Sequence, residues 1–382
     1  MTALLFTAFE PSGDHHAAVV IAELRRRHPD LKIYAWGGPR MAEAGAEIIA
    51  RTGDDAVMGM PGLAKIREHQ RINKEVAAWL GEHPEVGLHV PVDSPAANFP
   101  ICAVAKRLGR KVVHLVAPQI WAWGGWRIHK LRRLTDEVLC VLPFEESWFR
   151  KHNVPAQFIG HPSFHSSITD GRSADGLPTG SPRLALLPGS RPAEIERNYP
   201  LLLETYRALR EQMPGLEAAV AATTDRVAAD IDRVGAGGVK PIVVSGRADD
   251  VLAWCDVALV VSGTVTLHVA RHNKPMVILY KANPVLYTLL ARWLLSTEFF
   301  TLPNLIAGRE IVTELVPHFG GPGPLIEATS ALLNSEQAQQ AQREALADIV
   351  SRFEGQDAAA NAADAIDRVA GLKAATAPTA EG

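Results

Sequence analysis

The feature that most constrains this chain is a repeated pattern in which a short apolar run ends in small residues and a helical pattern follows. Leu184–Leu187 leads into Pro188–Arg191 in this way, and Val257–Val261 leads into Ser262–Thr264. Short apolar runs bounded by turn residues predict buried parallel strands. Each turn then presents free backbone N–H groups at the positive end of a helix, which suits phosphate. Two such turns facing one crevice would hold a pyrophosphate.

The same alternation of strand and helix continues along most of the chain. Further strand-like runs lie at 4–9, 33–36, 86–92, 112–116, 138–142, 158–159, 217–221, 241–244 and 276–279. This spacing predicts an α/β fold with doubly wound parallel sheets. A chain of 382 residues is too long for one ordinary core. We therefore expect two Rossmann-like domains that face a ligand crevice.

A stretch rich in Ser, Gly, Asp and Pro separates the two halves of the pattern and is typical of a linker. Near the C-terminus two helical stripes are followed by small and polar residues, which predict a disordered tail. We expect the C-terminal helices to be able to pack on the N-terminal domain. The expected segments are an N-terminal domain over 1–165, a linker over 166–182, a C-terminal domain over 183–345, helices over 346–372 and a tail over 373–382.

The composition is that of a soluble globular protein, with 47% hydrophobic and 21% charged residues. A net charge of −3 gives no general attraction to nucleic acid. No apolar run approaches the ~18–20 residues that span a bilayer, and the N-terminus lacks the basic region of a signal peptide. The cysteines fit no zinc or redox spacing, so we expect them to be buried in a protein of the reducing cytoplasm.

Several short motifs, in this order, make the chain resemble the lipid-A-disaccharide synthase family. They are Glu10–Asp14, Gly37–Met41, Val57–Met60, Trp121–Trp123, Leu142–Glu145, Ile159–Pro162, Leu186–Arg191, Ser262–Thr264 and Leu302–Leu305. The resemblance implies an inverting glycosyltransferase of the GT-B fold that works without a metal ion or cofactor. It further implies an N-terminal domain that binds the acceptor and a C-terminal domain that binds the UDP-sugar.

The resemblance also implies the reaction. Diacylglucosamine would be transferred from UDP-2,3-diacylglucosamine to 2,3-diacylglucosamine 1-phosphate, with release of UDP, in lipid A biosynthesis. The partners would be a UDP-sugar donor, a lipid monosaccharide phosphate acceptor and the inner surface of the cytoplasmic membrane, but no nucleic acid. Monomer and homodimer both stay open.

Three residues match the catalytic positions of the family. Asp93 matches the proposed general base, Arg191 the phosphate-contacting arginine and Asn304 an active-site asparagine. Asp93 also stands at the end of a predicted strand, where a carboxylate would face the crevice. Residues expected to bind substrates are Glu10, Ser12, Gly189, Ser190, Ser262, Gly263, Thr264 and His268.

Each assignment has a structural alternative. Asp93 could form an Asx-turn or a helix cap, and Arg191 a surface ion pair. Ser262–Thr264 could be a plain helix N-cap, and Glu10 with Ser12 a simple turn before a helix.

Three departures from the family pattern concern substrates. His268 stands where the family has a glutamate that binds the ribose hydroxyls of UDP, and Ala96 replaces a second carboxylate near Asp93. The residues at 65–70 are polar where the family helix is apolar. A related transferase with another nucleotide sugar or acceptor, and a homologue that binds nucleotide sugars without catalysis, therefore remain alternatives.

Two further clusters of residues could bind a ligand or a surface. His15 and His16 are neighbours in the sequence and do not share a helix face, so we expect no metal site there. Trp121, Trp123 and Trp126 precede a basic segment and indicate either a membrane-contacting surface or core tryptophans beside a solvated helix.

Overall fold

The computed structural model describes residues 2–52, 63–164, 174–235, 237–282 and 297–372. The chain forms two compact units, and the first of them contains both termini. The first unit comprises Met1–His165 and Gly355–Gly382, and the second comprises Ser166–Glu354. The predicted tail over 373–382, the motif Val57–Met60 and residues 166–173 of the predicted linker lie outside the described residues.

The two units are built from alternating strands and helices. The strands are β1 (Ala3–Ala8), β2 (Ile33–Gly37), β3 (Glu47–Arg51), β4 (Val86–Val92), β5 (Lys111–Leu115), β6 (Glu137–Cys140), β7 (Ala156–Phe158), β8 (Arg183–Leu187), β9 (Glu217–Ala222), β10 (Ile242–Ser245), β11 (Val257–Val261), β12 (Met276–Lys281) and β13 (Thr313–His318). The helices of the described residues are α1 (Pro11–Arg27), α2 (Pro39–Glu43), α3 (Leu63–Glu82), α4 (Pro95–Arg107), α5 (Ile128–Leu134), α6 (Glu145–Lys151), α7 (Pro192–Gln212), α8 (Asp225–Val234), α9 (Ala248–Trp254), α10 (Val265–Arg271), α11 (Leu302–Ala307), α12 (Gly323–Leu333), α13 (Glu336–Ser351) and α14 (Ala358–Ala370).

The first unit contains a seven-stranded parallel sheet in the order β3-β2-β1-β4-β5-β6-β7. Its central strands are apolar and buried, as in β1, where all six residues are buried. The strand order reverses between β1 and β4, which are paired directly in the register Thr7↔Pro91 and Ala8↔Val92. A reversal of this kind leaves a crevice outside the carboxyl ends of the two strands.

The second unit repeats this arrangement in a six-stranded parallel sheet, ordered β10-β9-β8-β11-β12-β13. The reversal lies between β8 and β11, which pair in the register Leu187↔Val260. Isoleucine, leucine and tyrosine side chains of α7 cover the sheet, and Tyr199 and Tyr206 are among the largest fully buried residues. The prediction of two Rossmann-like α/β domains is confirmed.

The differences from the sequence-based expectation lie at the sheet edges and at the C-terminus. β3 and β13 were not predicted, because both are edge strands whose residues are mostly half-buried and lack a continuous apolar run. The predicted boundary at 345/346 falls inside α13, which spans Glu336–Ser351 and belongs to the second unit.

The last helix, α14, packs on the first unit. The side chain of Asp357 caps its N-terminus by accepting from Ala359 N and Ala360 N, each at 3.0 Å. Ile366 lies fully buried on the inner face. On the rim, Asp367 Oδ1 lies 2.9 Å from His28 Nε2, which joins α14 to the end of α1.

We predict that Ile366→Ala lowers the free energy of unfolding by about 2–5 kcal/mol, because it leaves a cavity beneath α14. Urea denaturation would measure the loss. The matched control is Val369→Ala on the same helix, where the side chain is half-buried and the loss should be clearly smaller. Equal losses at both positions would contradict the packing described here.

Candidate active site

In the first unit, Glu10 and Asp93 lie at the sheet reversal. Glu10 follows β1, Asp93 follows β4, and these strands are neighbours. The Ser94 hydroxyl donates a 3.1 Å hydrogen bond to Glu10 Oε1, which joins the two strand ends. Ser12 is exposed in the first turn of α1. The structure therefore brings the predicted residues of this unit to one edge of the sheet.

The turn that carries Asp93 has an unusual backbone. Asp93 and Ser94 have φ values of 44° and 39°, in the left-handed region that non-glycine residues rarely adopt. Consecutive residues in this region cost energy and persist only when the surroundings hold them. Ser94 is the N-cap residue of α4, but its side chain makes no capping bond and reaches Glu10 instead. The N-cap position of α4 is occupied by Ser94, so the structure does not use Asp93 as the helix cap.

A buried polar chain holds this turn. Asn98 Nδ2 donates to the carbonyls of Val92 (3.1 Å) and Asp93 (2.9 Å), and Asn98 Oδ1 accepts from Thr7 Oγ1 at 2.6 Å. Thr7 Oγ1 also lies 2.8 Å from His89 Nε2. Thr7, His89 and Asn98 are all fully buried. Removing one member would leave its partners unpaired in the core, which is costly.

The Asp93 carboxyl group has a perturbed pKa. Burial, with a further contribution from the Glu10 charge, raises its pKa to about 6, against the lowering effect of the Ser94 backbone N–H. A carboxylate of this pKa is ionised at neutral pH and is a stronger base than an ordinary aspartate. This combination suits a general base.

Glu145 has a fully buried carboxyl group. It is the last residue of the motif Leu142–Glu145, and the sequence assigned it no chemistry. It accepts from Trp121 Nε1 at 3.0 Å and from the backbone N–H groups of Val141 and Leu142 at 3.1 and 3.0 Å. Burial raises the pKa of Glu145 to about 7, and the Asp93 charge adds to the rise. Glu145 therefore contributes to the electrostatic surroundings of Asp93.

Asp14 explains why two of the motifs occur together. Its carboxylate accepts from Gly38 N (2.9 Å), Arg40 N (3.1 Å) and Met41 N (3.1 Å), and so caps the start of α2. A Cβ atom at Gly38 would stand 2.6 Å from the Asp14 carboxyl carbon, so this position excludes a side chain. The pair fixes α1 against α2, and its role is structural.

In the second unit, the two predicted phosphate turns follow neighbouring strands at the sheet reversal. Gly189 and Ser190 come after β8, and Ser262–Thr264 come after β11. Gly189 has a φ of 102°, and a Cβ atom there would lie 2.8 Å from Glu194 Oε2. The positive φ favours glycine at this position, whereas the Glu194 carboxylate can move aside.

Arg191 is the N-cap residue of α7, and its side chain is half-exposed. Its Nη1 donates to Glu194 Oε1 at 2.8 Å, so the ion-pair alternative describes the structure as it stands. A pair at this level of exposure is weak. An incoming phosphate could therefore take the place of Glu194.

The turn after β11 is open to solvent. Ser262 N donates to Leu279 O at 2.8 Å and extends the strand ladder by one residue. Gly263 and Thr264 are exposed, and the side chain of the N-cap residue Thr264 makes no capping bond. The Thr264 hydroxyl thus does not cap the N-terminus of α10.

His268 lies one helical turn beyond Thr264, on α10. Its Nε2 lies 2.8 Å from Asp249 Oδ1 of α9. Burial lowers the pKa of His268, while Asp249 raises it, and the net direction is down. The imidazole is therefore neutral at physiological pH, and it contacts the Asp249 carboxylate through Nε2.

Asn304 is fully buried at the start of α11. Its Nδ2 donates to Val312 O and Glu314 Oε2, each at 2.9 Å, and its Oδ1 accepts from the N–H groups of Ile311 and Val312 at 2.8 and 3.0 Å. All four hydrogen-bonding positions of the amide are occupied within the second unit. This is the geometry of a residue that holds α11 against β13.

The tryptophan cluster divides between core and surface. Trp121 is buried, and Trp123 and Trp126 are 44% and 66% exposed. The Arg127 guanidinium lies 3.9 Å from the centre of the Trp123 ring. No helix within the described ranges is long and apolar enough to cross a bilayer. Only part of the cluster can therefore contact another surface.

A family model described as lipid-A-disaccharide synthetase matches residues 4–367. The chain belongs to the lipid-A-disaccharide synthase family. The lipid-A-disaccharide synthase of Myxococcus xanthus is 36% identical over 372 residues, which cover 95% of this chain and 96% of that protein. The Cellvibrio japonicus enzyme is 36% identical over 369 residues, covering 94% and 95%. This member of the family is a hexosyltransferase of lipid A biosynthesis.

Solved structures agree on the fold. The Staphylococcus aureus MnaA–UDP complex has a TM-score of 0.65 at 11% identity and covers 98% of each chain. CalG4, the calicheamicin glycosyltransferase, has a TM-score of 0.62 at 15% identity and covers 97% of this chain and 98% of its own. At such low identity these matches support only the GT-B architecture of the synthase family.

We predict that Asp93→Asn stabilises this synthase-family chain at pH 8. The raised pKa means that the folded state favours the protonated carboxyl group, and this advantage is lost as pH rises from about 4 through about 6. The substitution removes the cost of the buried charge, for a gain of about 1–2 kcal/mol after allowance for solvent screening.

Urea denaturation at pH 8 and pH 4 would measure this gain, which should be largest at pH 8. Asp30→Asn is the matched control, because Asp30 is exposed and no buried carboxylate is lost. An Asp93→Asn variant that is less stable than the wild type at pH 8 would contradict the assignment of Asp93 as a group held at an energetic cost.

Proposed function

We propose that this chain transfers 2,3-diacylglucosamine from UDP to 2,3-diacylglucosamine 1-phosphate, which forms the lipid A disaccharide and releases UDP. The family relationship supports the reaction, since the chain is 36% identical to lipid-A-disaccharide synthases along nearly its full length. The observation that carries the proposed mechanism is the perturbed Asp93 carboxylate at the sheet reversal of the first unit.

Asp93 is proposed as the general base. One carboxylate oxygen takes the proton of the acceptor hydroxyl, and the hydroxyl oxygen attacks the anomeric carbon of the donor sugar. The bond between that carbon and the UDP oxygen breaks, so one displacement inverts the configuration. The left-handed turn held by Asn98 fixes the carboxylate, and the Glu10 charge adds to burial in raising its pKa. Glu10 and Ser12 are proposed to line the acceptor side.

The departing diphosphate is proposed to bind at the sheet reversal of the second unit. Gly189 and Ser190 supply backbone N–H groups there, and the Ser262–Thr264 turn lies at the end of the neighbouring strand. Arg191 would exchange its bond to Glu194 for two phosphate oxygens. Charge that develops on UDP is then met by donors already in place.

The remaining predicted residues receive supporting roles. His268 is proposed to make one hydrogen bond to the ribose of UDP, in place of the two that the family glutamate would make. Asn304 is proposed to position α11 through its four hydrogen bonds, without touching the reacting atoms.

The lipid substrates require access to a membrane, and we propose peripheral attachment at the cytoplasmic face. Support comes from the exposed rings of Trp123 and Trp126, which adjoin Arg127 and the basic residues of α5. Amphipathic aromatic rings beside cations suit the interface of an anionic bilayer.

We predict that Asp93→Asn lowers acceptor-dependent UDP release by ~10²–10⁴-fold, the usual contribution of a general base. The assay uses purified protein with UDP-2,3-diacylglucosamine, with and without the lipid monosaccharide phosphate. In the wild type, kcat/KM should fall about tenfold per pH unit below about 6, as the base becomes protonated. Wild-type turnover in Asp93→Asn would contradict the assignment, whereas no release by the wild type would point to a different donor or acceptor.

We predict that Arg191→Ala weakens UDP binding by about 10–100-fold, since a charged hydrogen bond contributes ~1.5–3 kcal/mol. Glu194→Gln should tighten binding, because it removes the competitor for Arg191. Calorimetry with UDP measures both. Arg233→Ala is the control, because Arg233 pairs with Glu196 and Asp230 at the surface of α8. Unchanged UDP affinity in Arg191→Ala would exclude the proposed phosphate contact.

A further inference from the structure

Two histidines and an aspartate converge beside the proposed donor turn. His268 and His272 are four residues apart on and just after α10, so they share one face of the helix. Asp249, in the first turn of α9, reaches both of them. His268 Nε2 and His272 Nε2 each lie 2.8 Å from the same oxygen, Asp249 Oδ1. Two helices are thus joined through a single carboxylate oxygen.

The chemistry of this cluster is that of a metal site. One ligand atom from each of the three residues lies within 4.8 Å of the others. Two imidazoles four residues apart on a helix, completed by a carboxylate, are a set that binds Zn²⁺ and neighbouring divalent metals. The ring centres of His268 and His272 are 5.1 Å apart, compared with 6.2 Å for the adjacent His15 and His16.

We propose that Asp249, His268 and His272 bind a divalent transition-metal ion, with Zn²⁺ as the first candidate. Ligand atoms 2.0–2.1 Å from a tetrahedral zinc ion stand ~3.3 Å apart. Inserting the ion therefore requires each 2.8 Å contact to open by about half an ångström. Three protein ligands would leave one coordination position for water.

The burial of the three side chains suits reversible metal binding. The His272 side chain is 1% exposed and serves as a fixed anchor, while the side chains of His268 and Asp249 are 29% and 28% exposed. Solvent therefore reaches the cluster from one side, which gives an entry path. Arg271 interacts electrostatically with Asp249 and opposes a second positive charge. We expect an affinity below that of a closed structural zinc site.

A bound ion would connect α9 to α10, the helix that begins at the Ser262–Thr264 turn. It would hold His268 through Nε2 and so fix the orientation of the imidazole. The ion takes no chemical part in the proposed transfer reaction, but it would orient the imidazole that we propose to contact the ribose of UDP. Zinc binding is measured without substrate, so the metal proposal and the proposed function can fail separately.

Isothermal calorimetry tests the proposal directly. The full chain, without an affinity tag and stripped by a chelator, is titrated with ZnCl₂ in a non-coordinating buffer. We expect one saturable equivalent per chain and a rise in Tm when zinc is added. His268→Ala, His272→Ala and Asp249→Asn should each weaken binding at least ~10-fold. His129→Ala, at an exposed histidine of the first unit, is the matched control and should bind like the wild type.

Among the three ligand variants, His268→Ala is expected to stay folded because the His268 side chain is half-exposed. Circular dichroism would verify its fold. Substitution with Co²⁺ adds a spectroscopic reading, since its visible bands report nitrogen and oxygen ligands. The absence of saturable zinc binding by the wild type would overturn the proposal. Binding that persists unchanged in folded His268→Ala would overturn it equally.

Discussion

The structure depends on one topological constraint that occurs twice. Two neighbouring parallel strands, β1 with β4 and β8 with β11, end side by side where the strand order of their sheet reverses. Because the connections leave these strands toward opposite faces, the carboxyl ends of the strands stay uncovered. Every residue predicted to act near a strand end, from Glu10 and Asp93 to Arg191 and Thr264, stands at one of these two places. The chemistry therefore follows from the order of the strands.

In the first unit, the turn at the sheet reversal determines the electrostatic surroundings of Asp93. The turn after β4 has to reverse direction sharply, and it does so through two left-handed residues, Asp93 and Ser94. The amide of Asn98 donates to the carbonyls of Val92 and Asp93 in this turn. Thr7 Oγ1 donates to the amide oxygen and also contacts His89. The turn removes the Asp93 carboxylate from solvent and brings it near the charge of Glu10. Both effects raise the pKa of Asp93. Strain, burial and basicity are consequences of one local geometry.

The sequence predicted those structural features that depend on neighbouring residues, and it missed those that depend on contacts between separate parts of the chain. Central strands are continuous apolar runs and were predicted, whereas the edge strands β3 and β13 are half-exposed and were not. Turn residues that follow strands were predicted because the strand pattern places them. Asn98, Glu145 and Asp249 received no role, because their respective contacts with Thr7, Trp121 and His268 join separate parts of the chain. His268 was predicted to bind substrate in place of the family glutamate, but its contact with Asp249 required the fold.

The most direct test of this account is a measurement of the pKa of Asp93. In protein labelled with ¹³C at aspartate, NMR follows the side-chain carboxyl carbons as the pH changes, and the Asp93→Asn variant assigns the resonance. The account predicts a midpoint near 6, because the turn buries the carboxylate beside Glu10. A midpoint near 4, the value of a solvated aspartate, would contradict it. The sheet reversal would then position the carboxylate without tuning its basicity.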